Sequence, residues 1–276
     1  MIYAAASGYG QDGPYSERPG QDLIIQALSG LANINGSENQ PPTAVGVSAA
    51  DHHGAQILAM SILAALFRRE RTGKGARVDV DLLSAALDLQ NESLVCYTNG
   101  ATQSQRPPPN IAGWYFPAPY GIYSVQDGYV AISLGSMETL AKALSLPSLS
   151  NFDEDSVFQC KKEIAALIQS AVKDLKLVDL EAMLEKEKLW YGRVNDYSAV
   201  LRDPQIQHNG SFVKIKSAAQ TPITLLAHPA KYDGQRPEVR LPPQPLGAQT
   251  REILAELGYS GSEIEQLAES RVVHTA

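Results

Sequence analysis

Cysteine is scarce in this chain: Cys96 and Cys160 stand alone, and neither has the spacing of a metal or redox motif. That excludes a disulfide-stapled scaffold and fits a reducing cytoplasm. Long apolar runs are missing too. No stretch of about 18 apolar residues could span a bilayer, and the opening Met1-Ile2-Tyr3-Ala4-Ala5-Ala6 lacks the length and charge of a secretory signal. Positive charge is thin, with 23 Lys and Arg against 30 Asp and Glu, a net charge of -7 and no basic cluster beyond Arg68 to Lys74. A nucleic-acid partner is therefore not expected, nor is a membrane. What is plentiful is apolar content, 44% of 276 residues, enough to bury the core of one large domain or two small ones.

The patterning alternates strand and helix. Ile2 to Ser7 reads as a strand, Leu23 to Leu31 as a short helix closing near Gly30, Val45 to Val47 as a short strand, and Asp51 as the start of a long helix stopped by Gly73. That helix is apolar nearly all round, the signature of a helix inside a large core. A strand over Ala76 to Asp81 and a helix over Leu82 to Tyr97 follow. A Gln-, Ser- and Pro-rich linker over Asn99 to Pro109 leads to a second region. There, Tyr120 to Val125 and Tyr129 to Leu134 flank Gln126-Asp127-Gly128, a hairpin signal. Helices are expected over Glu138 to Leu144, Val157 to Leu175 and Asp179 to Lys188. Short strands resume around Phe212 to Lys216, and helices close the chain over Gln249 to Leu257 and Ser262 to Glu269.

Asp51 is the candidate for the chemistry. It is the only acid between Val45 and Phe67, placed where unpaired N–H groups and the helix dipole hold a carboxylate ionised and oriented. An oriented carboxylate can act as a covalent nucleophile; an ordinary N-cap explains the same placement. Rival motifs fail on context. Gly8-Tyr9-Gly10-Gln11-Asp12-Gly13 has dinucleotide-loop spacing, but Pro14, Pro19 and Gly20 forbid the helix that should receive a pyrophosphate. Gly73-Lys74-Gly75 lacks the remaining glycine and the hydroxyl residue of a phosphate loop. Asp51-His52-His53 occurs in metal-dependent phosphoesterases, yet adjacent histidines on a helix diverge and no companion ligands stand at an upstream strand end, so no metal is expected. A G-x-S-x-G elbow is absent. Asp22, a second acid at a helix start, is the natural companion of Asp51.

Four blocks in order then resemble the family III CoA-transferases, also called the CaiB/BaiF family. They are Ile2 through Tyr15 with Arg18-Pro19-Gly20-Gln21-Asp22, Gln26-Ala27 and Gly30; Ala50-Asp51 with Leu63 to Leu66, Arg69 to Gly75 and Val78-Asp79-Val80; Ala118 to Tyr123 with Asp127 to Ile132; and Pro245-Leu246-Gly247, Thr250 and Glu256 to Ser260. The resemblance implies an α/β fold: a Rossmann-like large domain, incomplete here, over 1–100 and 211–276, with a smaller α+β domain over 101–210. It implies interlocked dimers, hence a homodimer. It also implies that a segment preceding Ile2 in family members is missing. The function implied is transfer of coenzyme A, a substrate rather than a resident cofactor, between an acyl-CoA and a carboxylic acid. Asp51 matches the nucleophile that forms an aspartyl intermediate, and Gln21, Asp22, Gly8 and Gly10 match positions around substrate and CoA. Related α-methylacyl-CoA racemases place a histidine base where this chain has Gln21, which cannot shuttle a proton. Racemisation, or a non-catalytic subunit, is the alternative expectation.

Overall fold

Two strands with parallel register anchor the first part of the chain. The computed structural model describes residues 1–101, 106–217 and 220–276, so part of the linker expected over 99–109 lies outside the described residues. Strand β1 (Ile2–Ser7) pairs with β2 (Ala76–Asp81) from Ile2 opposite Ala76 to Ser7 opposite Asp81. Parallel strands need a long crossover, and here it comprises α1 (Asp22–Leu28), α2 (Leu31–Ile34) and α3 (Ala49–Thr72). Gly30 stands in the left-handed region at φ 87° between α1 and α2, so the helix expected to run to Leu31 ends at Leu28. Gly73, at φ 70°, closes α3 by donating its N–H to the Arg69 carbonyl at 2.7 Å.

Further local expectations are corrected. Val45 to Val47 is irregular, because its backbone groups bond to the Gln26 side chain instead of a neighbouring strand. The helix expected over Leu82 to Tyr97 is two, α4 (Leu82–Leu89) and α5 (Asn91–Thr98). The break falls at Gln90, whose buried amide donates to the carbonyls of Ala86 at 2.7 Å and Ser29 at 3.3 Å. Finally, α3 is not enclosed by a core among the described residues. Only Ala50, Gly54 and Ala65 are buried, while Met60, Leu63 and Phe67 are 65%, 66% and 65% exposed. Its all-round apolar pattern gives it no preferred face, and the elements packed on it, α4, β2, β1 and α1, cover one side.

The rest of the first compact unit, Met1–Val194, is an α+β layer with a denser core. β3 (Gly121–Val125) and β4 (Gly128–Ile132) form the expected hairpin, and β5 (Tyr191–Arg193) adds antiparallel to β4. Helices α6 (Met137–Ala143), α7 (Ser156–Gln159), α8 (Lys161–Val172) and α9 (Leu177–Lys186) accompany the sheet. The single helix expected over Val157 to Leu175 is interrupted at Cys160, where ψ opens to 16°. Tyr123, Val130, Ile132, Leu140, Ile164, Ile168, Leu180 and Leu184 fill the core between sheet and helices.

The second unit, Asn195–Ala276, holds α10 (Tyr197–Arg202), α11 (Pro204–His208), the hairpin β6 (Phe212–Lys216) and β7 (Pro222–Leu226), α12 (Thr250–Glu256) and α13 (Gly261–Glu269). Ser260 and Glu263 form a reciprocal capping box at the start of α13. No helix among the described residues is long and apolar enough to cross a membrane.

Candidate active site

The start of α3 is held from outside the helix. Ser48 occupies the N-cap position but makes no side-chain capping bond. The cap comes instead from α1: Oδ1 of Asp22 accepts the backbone N–H of Ala50 at 2.8 Å and of Asp51 at 3.2 Å. Those N–H groups have no partner within the helix, so the Asp22 carboxylate satisfies them and fixes the first turn. Asp51 lies in that turn with its side chain exposed, and no hydrogen bond or ion pair among the described residues engages its carboxylate. It is therefore not an ordinary cap. The residue is oriented through its backbone and its carboxylate is left open to solvent at the positive end of a 24-residue helix.

Small residues bring the surrounding elements close. Gly8, at the end of β1, crosses Gly20 just before α1. A Cβ on Gly8 would sit 2.7 Å from the Gly20 Cα, and one on Gly20 would sit 2.5 Å from the Gly8 Cα. Only glycine fits both sides of that crossing. The Gly8 carbonyl accepts the Leu83 N–H at 3.1 Å, tying the strand end to α4. Gly10 takes φ 102° and donates its N–H to Oγ of Ser7 at 3.0 Å. The loop runs on through turns without a helix until Asp22, as the prolines require. Ile25, Ala50 and Ala86 form a small apolar cluster beneath it, joined by Tyr9, Leu82 and Leu83.

Of the five residues expected at the site, Asp22 and Asp51 meet directly. Gly8 joins them through the Gly20 crossing, two residues ahead of Asp22. Gln21 is the exposed N-cap of α1, and its side chain makes no capping bond. Gly10 shapes the loop by its backbone alone. His53 pairs with Asp88 of α4 at 2.7 Å, linking the two helices, and His52 is exposed. Gln26, buried beside this cluster, was not anticipated as a site residue; its i, i+4 spacing from Asp22 on one helix face was the available signal. A cavity of about 630 Å³ lined by Glu138, Lys142 and Glu187 lies in the hairpin layer and includes none of these residues. The open surface around Asp51 has the better chemical claim, because an acid there is both oriented and accessible. Among the described residues no set of three His, Cys, Asp or Glu gathers as a metal site.

Fold and site together define an α/β protein that presents an accessible carboxylate at the start of its crossover helix. The chain belongs to CoA-transferase family III, whose model matches residues 1–250. It is similar to the succinyl-CoA:glutarate CoA-transferase of Mus musculus, with 28% identity over 99% of this chain and 64% of that protein. The succinyl-CoA–D-citramalate CoA-transferase of Chloroflexus aurantiacus is 27% identical over 99% of this chain and 69% of its own length. The crystal structure of a CAIB/BAIF family protein from Brucella suis superposes with a TM-score of 0.73 at 28% identity, covering 93% of this chain and 68% of that one. The chain thus spans 64% of the length of the mouse relative.

Proposed function

We propose that this chain transfers coenzyme A from an acyl-CoA to a carboxylic acid through a covalent intermediate on Asp51. The observation that carries the reading is the exposed Asp51 carboxylate in the first turn of α3, its backbone gripped by Asp22. In the first step an Asp51 oxygen attacks the thioester carbonyl carbon, the C–S bond breaks and CoA leaves as the thiolate. The resulting mixed anhydride keeps both acyl groups activated. The thiolate then attacks the Asp51 carbonyl carbon, expelling the first acid as its carboxylate and leaving an aspartyl-CoA thioester. The acceptor carboxylate repeats the sequence in reverse: it displaces the thiolate to form a second anhydride. Attack of the thiolate on the acceptor's carbonyl then gives the new acyl-CoA and restores Asp51. The steps need no metal and no reductant, and CoA is a substrate.

Gln21, Gly8 and Gly10 are proposed to surround the substrate, and Asp22 to act on the backbone of Asp51 rather than on substrate. The names of the similar transferases support a dicarboxylic acyl donor. Action as a homodimer in the cytoplasm belongs to the same proposal, resting on the family resemblance and on the cysteine usage. The test is transfer from succinyl-CoA to glutarate in deuterated water, comparing the chain with Asp51→Asn. The expected result is glutaryl-CoA formed by the wild-type chain and lost in the variant. Equal transfer by both, or deuterium entering an acyl α-carbon without transfer, contradicts the reading.

A further inference from the structure

Gln26 is 1% exposed, a degree of burial at which an apolar side chain would be the simpler choice. Its amide makes three bonds to groups with fixed roles. Nε2 donates to Oδ2 of Asp22 at 2.6 Å and to the Val47 carbonyl at 3.3 Å, while Oε1 accepts the Val45 N–H at 2.9 Å. A carboxylate and a carbonyl only accept and an amide N–H only donates, so the orientation of the Gln26 amide follows from chemistry. The same side chain therefore grips both things that place Asp51: the carboxylate that caps its helix and the segment that leads into it. With Oδ2 held by Gln26, Oδ1 is directed to the N–H groups of Ala50 and Asp51.

We propose that Gln26 is a positioning residue for the Asp51 nucleophile, acting through Asp22 and residues 45–47 and never touching substrate. This rests on the transfer reading above. Reacting groups lose rate steeply when displaced by about 1 Å, so an unlatched first turn slows chemistry more than it weakens binding. A merely structural role, satisfying buried polar groups, predicts lost stability with no particular effect on kcat.

The two roles separate in a polarity swap. Gln26→Glu keeps the acceptor for Val45 but sets a carboxylate against Asp22 with no donor between them. Adding Asp22→Asn restores a donor toward position 26 and still offers an oxygen to Ala50 and Asp51. Succinyl-CoA-to-glutarate transfer by the full chain is expected to fall about 10- to 100-fold in kcat for Gln26→Glu, with KM for succinyl-CoA little changed. The double variant is expected to recover about tenfold, and amide hydrogen exchange at Ala50 and Asp51 is expected to quicken in the single variant and slow again in the double. Gln26→Met, of similar length and apolar, carries the same test if the glutamate variant does not fold: losing the three bonds lowers its thermal midpoint, and its kcat measured well below that midpoint is expected to fall with KM for succinyl-CoA little changed. Wild-type kcat in Gln26→Met or Gln26→Glu, or no recovery in the swapped pair, overturns the proposal while leaving the transfer reading intact. Absence of transfer by the wild-type chain overturns both.

Discussion

Residues 1–101 and 106–194 share one compact unit but are built on different principles. The later segment buries large side chains, Tyr123, Leu140, Ile164, Ile168, Leu180 and Leu184, in one contiguous cluster. The earlier segment has a thin core of Ile25, Ala50 and Ala86, a bare Gly8–Gly20 crossing and a buried amide network, while Met60, Leu63 and Phe67 stand in solvent. Polar links join them: Glu38 pairs with Lys162, the Glu38 N–H reaches the Pro107 carbonyl, and Arg106 donates to the carbonyls of Asn33 and Gln40. The difference teaches that the candidate site is shaped by close backbone approach and hydrogen bonds, and that apolar burial supplies most of the stability elsewhere. Regions with few buried apolar contacts open most easily, and the site lies in such a region.

That contrast can be broken by substitution, beginning where the effect is largest. Leu180→Ala empties a fully buried position in the dense core, and urea denaturation is expected to show a loss of about 2–5 kcal/mol. A loss below about 1 kcal/mol would mean that the core is looser than its burial indicates. Gly54→Val tests the close approach of α3 to α4: a Cβ there would meet Cδ2 of Leu82 at 2.8 Å, so a cost of about 1–3 kcal/mol is expected from overpacking. Retained stability would show that the helices move apart freely.

Tyr123→Phe keeps the ring in the core and removes its 2.8 Å bond to the Pro119 carbonyl, with an expected cost of about 1 kcal/mol at neutral pH. Burial pushes the Tyr123 hydroxyl well above the usual tyrosine range. The folded state therefore favours the protonated phenol. Its contribution is complete below the unfolded value of about 10 and is lost as pH rises beyond that value. Alkaline unfolding should be less steep in Tyr123→Phe, and identical profiles would refute the assignment. Leu63→Ala should be smallest, within about 0.5 kcal/mol, because the side chain packs little within the described chain. A cost above about 1.5 kcal/mol would show that α3 is covered in solution.

Much of this was legible in the residues. Both parallel strands, the β3–β4 hairpin and β6 lie within a residue or two of where alternation and turn chemistry put them, since strand signals are local. Asp51 was conspicuous because a lone acid in an apolar run contradicts its surroundings. Other features were hidden. The exposure of α3 depends on which elements cover it, and its apolar periodicity is silent on that. The Gln26 latch spans residues 22, 45 and 47, so only the folded chain brings its partners together. The breaks at Gln90 and Cys160 were likewise invisible to periodicity: a buried side chain bonding to two carbonyls sets the first, and local backbone geometry marks the second.

The most direct test of the account is the intact mass of the full chain after incubation with succinyl-CoA, with and without hydroxylamine, followed by peptide mapping. The account predicts a CoA-bearing adduct on the wild-type chain, converted by hydroxylamine to a hydroxamate at Asp51 and absent from Asp51→Asn. An adduct that persists in the variant, or transfer that proceeds with no adduct on the wild-type chain, would contradict it.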